Sequence, residues 1–463
     1  MFISRFCHFF ADNSLGNFIY NCMTDTLLEL DNNYYEKLLQ IQGGKADPNE
    51  CTAPFLNLLR DRKIFVEEGD EKQLLISRQH KRHQEVFTGS TLYLTICPTL
   101  SCNFRCSYCF EVSQESKFFM TEEVSERLIT WIKSIEGVNS LGIFWYGGEP
   151  LLAFDQICSL TDQFQSLDLD FKQAGLVTNG YLLTKEKIKR LNDLNISTVQ
   201  ITVDGPPEIH NARRKTAGGK ATYHRIMENV TTLMESDYKG DCQIRVNLDR
   251  TTFGLFKDFQ QFLREKFKGK KVIVQAGRVS TGTIKTCDTE CFMTNNEWAD
   301  FSIDLCLKSN LRPRSTIKPG SNQGSLCTAN GHYSYVVGPE GDLYKCWNDV
   351  GIPKMKIGNI GDDDFISNPI LQAEYYTGID PYNDAECLKC SILPICGGGC
   401  ANQRLRAKRF HEGGVEFCTV MKTHLHQYLR MHIHHIRTKE LCNAILSPGK
   451  FSKPIDGYRV IPL

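Results

Sequence analysis

The chain has 463 residues, 41% hydrophobic and 23% charged, which is the balance of a globular protein long enough for two or three domains and not of a disordered one. Lys plus Arg equals Asp plus Glu at 54 each, and only short basic clusters such as Arg78 to Arg82 and Lys266 to Lys271 stand out, so no nucleic acid is expected as a partner. The opening MFISRFCHFFADNS lacks the apolar core and small-residue cleavage site of a secretory signal, and no apolar run is long enough to span a membrane; a cytoplasmic protein with reduced thiols and no membrane partner is expected.

Residues 1–85 mix apolar periodicity with KIFVEEGDEKQLLIS, where Gly69 in a polar turn predicts a hairpin. The stretch SRQHKRHQEVFTGS reads as a polar linker. From Leu92 short apolar strands alternate with amphipathic helices. The strands are LYLTIC, LGIFWY, AGLVTN, STVQITV, CQIRVNL and KVIVQAG; the helices include EEVSERLITWIKSI, KEKIKRLNDL and YHRIMENVTTLM, with Thr121 and Thr184 at N-cap positions. Six strand–helix repeats over residues 90–310 predict an α/β fold, a partial (β/α)6 TIM-like barrel whose working face is the C-terminal end of its strands. Residues 311–445 form an expected C-terminal cysteine-rich cluster-binding domain, and 446–463 a C-terminal tail.

Twenty cysteines are too many for packing alone in a reducing compartment, and ten of them fall into two spaced groups. The first, Cys102-Asn-Phe-Arg-Cys106-Ser-Tyr-Cys109, follows the first barrel strand. Three thiolates on one loop can hold three irons of a 4Fe–4S cluster and leave the fourth iron without a protein ligand. A structural zinc site would want a fourth nearby Cys or His, and this loop has none. The second strand ends in Trp145-Tyr-Gly147-Gly148-Glu149-Pro150. Glycines there let backbone approach a ligand, and the Glu149 carboxylate suits an ammonium group. Cys97, Cys158, Cys242 and Cys306 read as small buried hydrophobes. His424, His426, His432, His434 and His435 read as a solvated helix face.

A CxxxCxxC loop after strand one with GGEP after strand two resembles the radical S-adenosylmethionine (SAM) superfamily. The resemblance implies that the open iron binds the amino and carboxylate groups of SAM. The reduced cluster then splits SAM into methionine and a 5′-deoxyadenosyl radical that takes a hydrogen atom from substrate. Within it Tyr108 resembles the residue near the adenine and Gly148 a backbone contact to the methionine portion, and Glu149 is a cofactor-binding candidate through its carboxylate. The run Gln200-Ile-Thr202-Val-Asp204-Gly205-Pro206 with His210 and Arg213-Arg214 resembles a further family stretch, by which Thr202 and Arg214 are SAM contacts. No catalytic acid or base is named.

The second group runs Cys327, Gly341-x4-Cys346, Cys387-x2-Cys390-x5-Cys396-x3-Cys400 and Cys418, and resembles the SPASM domain with two auxiliary 4Fe–4S clusters, three clusters in all. The resemblance gives Cys387, Cys390, Cys396 and Cys418 to the outer cluster, and Cys327, Cys346 and Cys400 to the inner one. It leaves the inner fourth position to substrate, to Cys287 or Cys291, or to His332. Sulfatase maturases of this branch carry a cysteine where Tyr333 stands, and a proton-accepting aspartate where Trp347 stands. Residues 1–85 resemble the leader-recognition modules of maturases of ribosomally made peptides, with a plain barrel cap as the alternative. The leading expectation is therefore a radical SAM oxidoreductase that matures a precursor peptide with a leader segment, forming a thioether or carbon–carbon cross-link, with an electron donor such as flavodoxin or ferredoxin. Anaerobic sulfatase maturation and a non-catalytic zinc scaffold are the alternatives.

Overall fold

The structure, a computed structural model, describes residues 1–111, 118–279, 291–309, 327–446 and 457–461. Two compact units emerge, each discontinuous in sequence. One is built from described residues of 1–85, 295–326 and 379–463, and the other from those of 86–294 and 327–378.

In the second unit all six expected barrel strands form, at Thr91–Ile96, Ser140–Trp145, Asp170–Thr178, Ile196–Thr202, Asp241–Leu248 and Val272–Arg278. They pair side by side in chain order and all in parallel. Helices Glu122–Ser134, Phe154–Gln165, Lys185–Arg190, Tyr223–Glu235 and Phe256–Lys266 follow the first five in turn. Their apolar spacing covers the sheet: Ile226, Val230 and Leu233, on one helical face, are all buried. Thr121 caps its helix by accepting the Val124 N–H at 3.2 Å. The sheet stays open. Beside the first strand lies Ser334–Val337, also parallel, followed by the antiparallel Asp342–Tyr344 and Gly358–Asn359, which makes nine strands. The partial barrel is thus extended by residues from the start of the cysteine-rich region.

The first unit holds a four-stranded antiparallel sheet of Cys7–Asp12, Gly16–Asn21, Thr26–Leu30 and, from the far end of the chain, Tyr458–Ile461. Ile19, Leu28 and Leu30 pack on Leu38, Ile41, Phe55 and Leu59 of helices Asn32–Gln42 and Ala53–Asp61. Phe18, Tyr20 and Leu27 belong to a separate core cluster with Leu425, Tyr428 and Leu429 of helix Met421–Leu446. The helix-plus-sheet character expected of the N-terminal region is present.

Two local expectations change. KIFVEEGDEKQLLIS is not a hairpin: only Phe65–Val66 is a strand, paired with Phe2–Ile3, and Asp70–Phe87 is a helix that absorbs the supposed linker. Gly69, at a φ of 91°, turns the chain, and the Asp70 carboxylate accepts the Glu67 N–H at 3.1 Å. Asp70 and Glu71 then sit in the first turn, where the helix dipole favours negative charge. The histidine-rich helix is not simply solvated either. His424 and His432 are buried, and His426 stacks on Phe10 at 5.4 Å, because the helix packs against the sheet along much of its length. Among the described residues no helix is long and apolar enough to cross a membrane.

A strand would place residues 74 and 76 on one face, whereas the helix buries Leu75 and leaves Ile76 56% exposed. Leu75→Ala is therefore expected to cost about 2–5 kcal/mol in chemical denaturation, and Ile76→Ala less than about 0.5 kcal/mol.

Candidate functional site

The C-terminal ends of all six parallel strands converge on one cavity of about 360 Å³. Cys102, Cys106 and Cys109 line it, with Tyr108, Gly148, Thr202 and Arg214. Thr178 and Asn179 enter from the third strand, Asn247 from the fifth, and Arg278 and Val279 from the sixth. All seven residues expected to be cofactor contacts or ligands of the first cluster, Glu149 aside, thus line the cavity.

Backbone places the cysteine loop. Phe104–Cys106 pairs with Arg214–Thr216, with Arg214 directly opposite Cys106. The Gly148 N–H donates to Thr99 O at 3.2 Å, and the Glu149 N–H to Ser101 O at 2.9 Å. A Cβ on Gly148 would stand 2.3 Å from the carbonyl oxygens of both Leu100 and Ser101. The glycine is therefore needed first for the approach of two chain segments, and through that for the position of Cys102.

Glu149 does not line the cavity. Its carboxylate accepts from Thr178 Oγ1 at 2.6 Å, the Asn179 N–H at 2.7 Å and the Leu151 N–H at 3.0 Å, tying the second strand's end to the third. Burial pushes its pKa up, and these three donors oppose that.

Beside the cysteines a buried network surrounds Tyr108. Its hydroxyl donates to Asp204 Oδ2 at 2.5 Å and accepts from Arg214 Nη1 at 2.6 Å and Asn247 Nδ2 at 3.1 Å. The Arg213 guanidinium lies 4.7 Å from the tyrosine ring centroid and pairs with Asp249 at 3.0 Å. Burial works against the charge of Arg214, but Cys106, Tyr108 and Asp204 outweigh it and hold the guanidinium cationic. Its buried Nε has no acceptor among the described residues. A carboxylate entering the cavity would satisfy that donor, so the site fits the amino-acid end of SAM. Asp204, Asn247 and Asn179 were missed as site residues by sequence reasoning; Asn179 directly follows the third strand, Asp204 lies two residues past the fourth and Asn247 is next to last in the fifth, and position at a strand's C-terminal end was the available signal.

Burial pushes the Cys102 thiol up to about 12 and the Cys109 thiol up to about 11, and raises Cys106 as well. A metal that took these thiols as ligands would have to displace their protons. Among the described residues no three His, Cys, Asp or Glu side chains form a ready site for a single metal ion.

In the first unit Cys387, Cys390, Cys396 and Cys418 come within electrostatic reach of one another. Arg404, buried, directs Nη1 to Cys387 Sγ at 3.2 Å, and Lys422 Nζ lies 3.7 Å from Cys418 Sγ. These cations oppose the charge that a thiolate-bound cluster brings, and neither was singled out from sequence. Cys400 belongs to this unit, whereas Cys327, Cys346 and Cys291 belong to the other. Cys287 lies outside the described residues. Tyr333 donates its hydroxyl to Glu136 O at 2.9 Å, and His332 packs among Phe87, Tyr333 and Tyr376. Trp347 lines the barrel cavity and stacks on Tyr146 at 5.3 Å. Asp349 is buried and accepts from the Tyr375 hydroxyl at 2.5 Å. Cys97 and Cys242 are fully buried, as their strand positions suggested, while Cys158 and Cys306 are half-buried.

Residues 96–261 match the model of the Radical SAM superfamily. The chain is 23% identical over 366 residues to a serine-type anaerobic sulfatase-maturating enzyme of Bacteroides thetaiotaomicron, covering 70% of this chain and 86% of that one. It is 28% identical over 347 residues to a cysteine-type anaerobic sulfatase-maturating enzyme of Clostridium perfringens, covering 68% and 90%. Among solved structures, anSMEcpe with bound AdoMet aligns with a TM-score of 0.59 at 22% identity, over 76% of this chain and 100% of that chain. Streptococcus suis SuiB bound to precursor peptide SuiA aligns with a TM-score of 0.52 at 17% identity, over 90% and 98%. Both share this fold.

His210 supports the Arg214 segment in a manner that pH can test. Its Nδ1 accepts the Asp204 N–H at 3.2 Å while Nε2 faces Thr222 Oγ1 at 3.0 Å, and burial with Arg214 and Arg213 nearby pushes its pKa down to about 3. An unfolded histidine binds a proton below pH about 6.5; the folded one does not until about 3. The contribution of His210 is therefore complete above about 6.5 and is lost as pH falls towards 3. His210→Gln is expected to flatten the acid side of a urea-midpoint-against-pH curve in that window. Gly148→Ala is expected to lower the iron bound at the first cysteine group, measured by anaerobic reconstitution and iron analysis.

Proposed function

Residues 96–261 form a radical SAM domain, so the protein is a radical SAM enzyme using SAM and a 4Fe–4S cluster, and from that premise we propose that it matures a precursor peptide by closing a thioether or carbon–carbon cross-link. When bound, the cluster and SAM supply a carbon radical able to remove an unactivated hydrogen atom. Cys102, Cys106 and Cys109 would hold the cluster. Arg214 would take the SAM carboxylate through its unsatisfied Nε, with Thr202, Gly148 and Tyr108 as further contacts; Glu149, expected from sequence to be a contact, would instead hold the second strand's end to the third behind them. Cys387, Cys390, Cys396 and Cys418 would hold an outer auxiliary cluster, and Cys327, Cys346 and Cys400 an inner one. Flavodoxin or ferredoxin would deliver the electron, and the cytoplasm is the proposed compartment. Residues 1–85 would bind the leader by strand addition to their sheet, where main-chain hydrogen bonds carry affinity.

The observation that carries a peptide cross-link, in preference to sulfatase maturation, is at Trp347. Where the resemblance expects a proton-accepting aspartate, the cavity wall has an indole stacked on Tyr146, and Asp349 is buried against the Tyr375 hydroxyl. Sulfatase maturation is the second reading, favoured by the names of the two curated relatives. Precursor-peptide chemistry draws support from the likeness to SuiB, solved with its precursor peptide.

Anaerobic coexpression with a candidate precursor peptide is expected to give a peptide lighter by about two hydrogen masses; an unchanged mass, with formylglycine appearing in a sulfatase peptide, would reverse the choice. Replacing Cys102, Cys106 and Cys109 by alanine should abolish 5′-deoxyadenosine on reduction and remove about four irons per chain.

A further inference from the structure

The N-terminal sheet is completed by a strand from the other end of the chain. Tyr458–Ile461 runs antiparallel to Thr26–Leu30 in a register that sets Tyr458 opposite Leu30 and Ile461 opposite Leu27. Gly457 makes the approach possible. It has a φ of 84°, its carbonyl accepts the Asp31 N–H at 2.7 Å, and a Cβ there would stand 2.5 Å from the Asp31 carboxylate.

Each side chain of the added strand meets a distinct environment. Tyr458 packs its ring 4.7 Å from that of Phe55 and edge-on to Tyr34 at 5.7 Å. Arg459 Nε lies 2.6 Å from Glu29 Oε2. Val460 is 43% exposed, whereas Ile461 is buried in the apolar cluster that includes Phe18 and Leu27. The edge therefore selects an aromatic residue, then a cation, then any residue, then a large aliphatic one. The opposite end of the sheet offers less. There Arg430 Nη2 donates to Ala11 O at 3.0 Å, and His8 lies 3.4 Å from Ser391 O.

We propose that the edge of Thr26–Leu30 is a peptide-binding groove and that the chain's own C-terminal strand is its built-in, displaceable occupant. The inference rests on the leader-docking reading above and goes further. It gives the incoming peptide a pattern, aromatic–cation–any–aliphatic in an extended segment, and it makes docking competitive. Four residues of main-chain pairing are a short strand. The tail is covalently part of the chain, and an intramolecular ligand competes with an effective concentration on the order of millimolar. An untethered precursor must out-bind that local competitor, so weak or mismatched peptides are kept off the groove.

The test uses the full, cluster-loaded chain with a specific protease site placed within residues 447–456. After cleavage, a fluorescein-labelled peptide Gly-Tyr-Arg-Val-Ile-Pro-Leu, residues 457–463 of the chain, is titrated and followed by anisotropy. The labelled peptide is expected to exchange into the cut chain and to bind the uncut chain at least tenfold more weakly. The same peptide carrying Arg459→Glu should bind the cut chain at least tenfold more weakly than the native sequence. Absence of exchange overturns the proposal, whether the cut tail still co-elutes with the chain or the cut chain unfolds, since either makes the strand a fixed part of the fold. Production of 5′-deoxyadenosine by the same cut preparation reads the radical reaction independently, so failure of the groove and failure of the enzymatic reading give different results.

Discussion

To hold the proposed cluster, three thiols would have to give up protons in a place where burial opposes it. That conflict governs the barrel cavity. Cys102 and Cys109 are pushed up to about 12 and about 11 by burial, so as free thiols they stay protonated at neutral pH. A cluster that binds them supplies the free energy for deprotonation, and that same free energy orders the loop. The loop is not left to the metal alone, however. It is paired to the Arg214 strand on one side and hydrogen-bonded to the Gly147–Glu149 turn on the other. Two neighbouring strand ends thus fix three sulfurs before any iron arrives, which lowers the ordering cost of binding.

The same preorganisation explains why so many polar groups are spent near Tyr108. Asp204 accepts from Tyr108, and its other oxygen accepts the Asn247 N–H at 3.1 Å, so one carboxylate links the fourth and fifth strand ends. Arg214 is held through Tyr108 and faces the cavity with a donor unspent. In a buried setting an unsatisfied N–H costs free energy, and a ligand carboxylate that relieves it binds more tightly for doing so. His210, neutral and buried, supports this segment through Thr222, whose hydroxyl donates to Arg214 O at 2.5 Å.

Periodicity made the barrel legible. Each of its six strands is a short apolar run, the first five are followed by helices of three- and four-residue spacing, and those signals are local. The cysteine loop was legible for the same reason, since its three cysteines lie within eight residues, 102 to 109. What escaped is non-local or conflicted. QLLIS has strand-like composition, but the surrounding Asp, Glu, Lys, Gln and Arg favour a helix, and burial of Leu75 decided between them. Glu149 suits an ammonium by charge, yet its three donors come from Leu151 and from the next strand's end, which no spacing rule reveals. Tyr458–Ile461 is four residues long, and its partner strand lies more than four hundred positions earlier, so nothing in its own sequence announces a sheet. Strand Ser334–Val337 joined the barrel sheet for a similar reason, through register with Thr91–Ile96 alone.

Fold and cofactor do not decide what is made; the cavity wall does. A proton acceptor beside a radical site directs the substrate towards losing a proton as well as a hydrogen atom. An indole stacked on a phenol cannot accept one, and its broad face instead excludes water and offers apolar contact to a substrate side chain. Trp347 is 47% exposed within that wall, so its ring is available for such contact while Tyr146 fixes its plane. If a cross-link closes as proposed, the proton released would have to leave through a group other than Trp347.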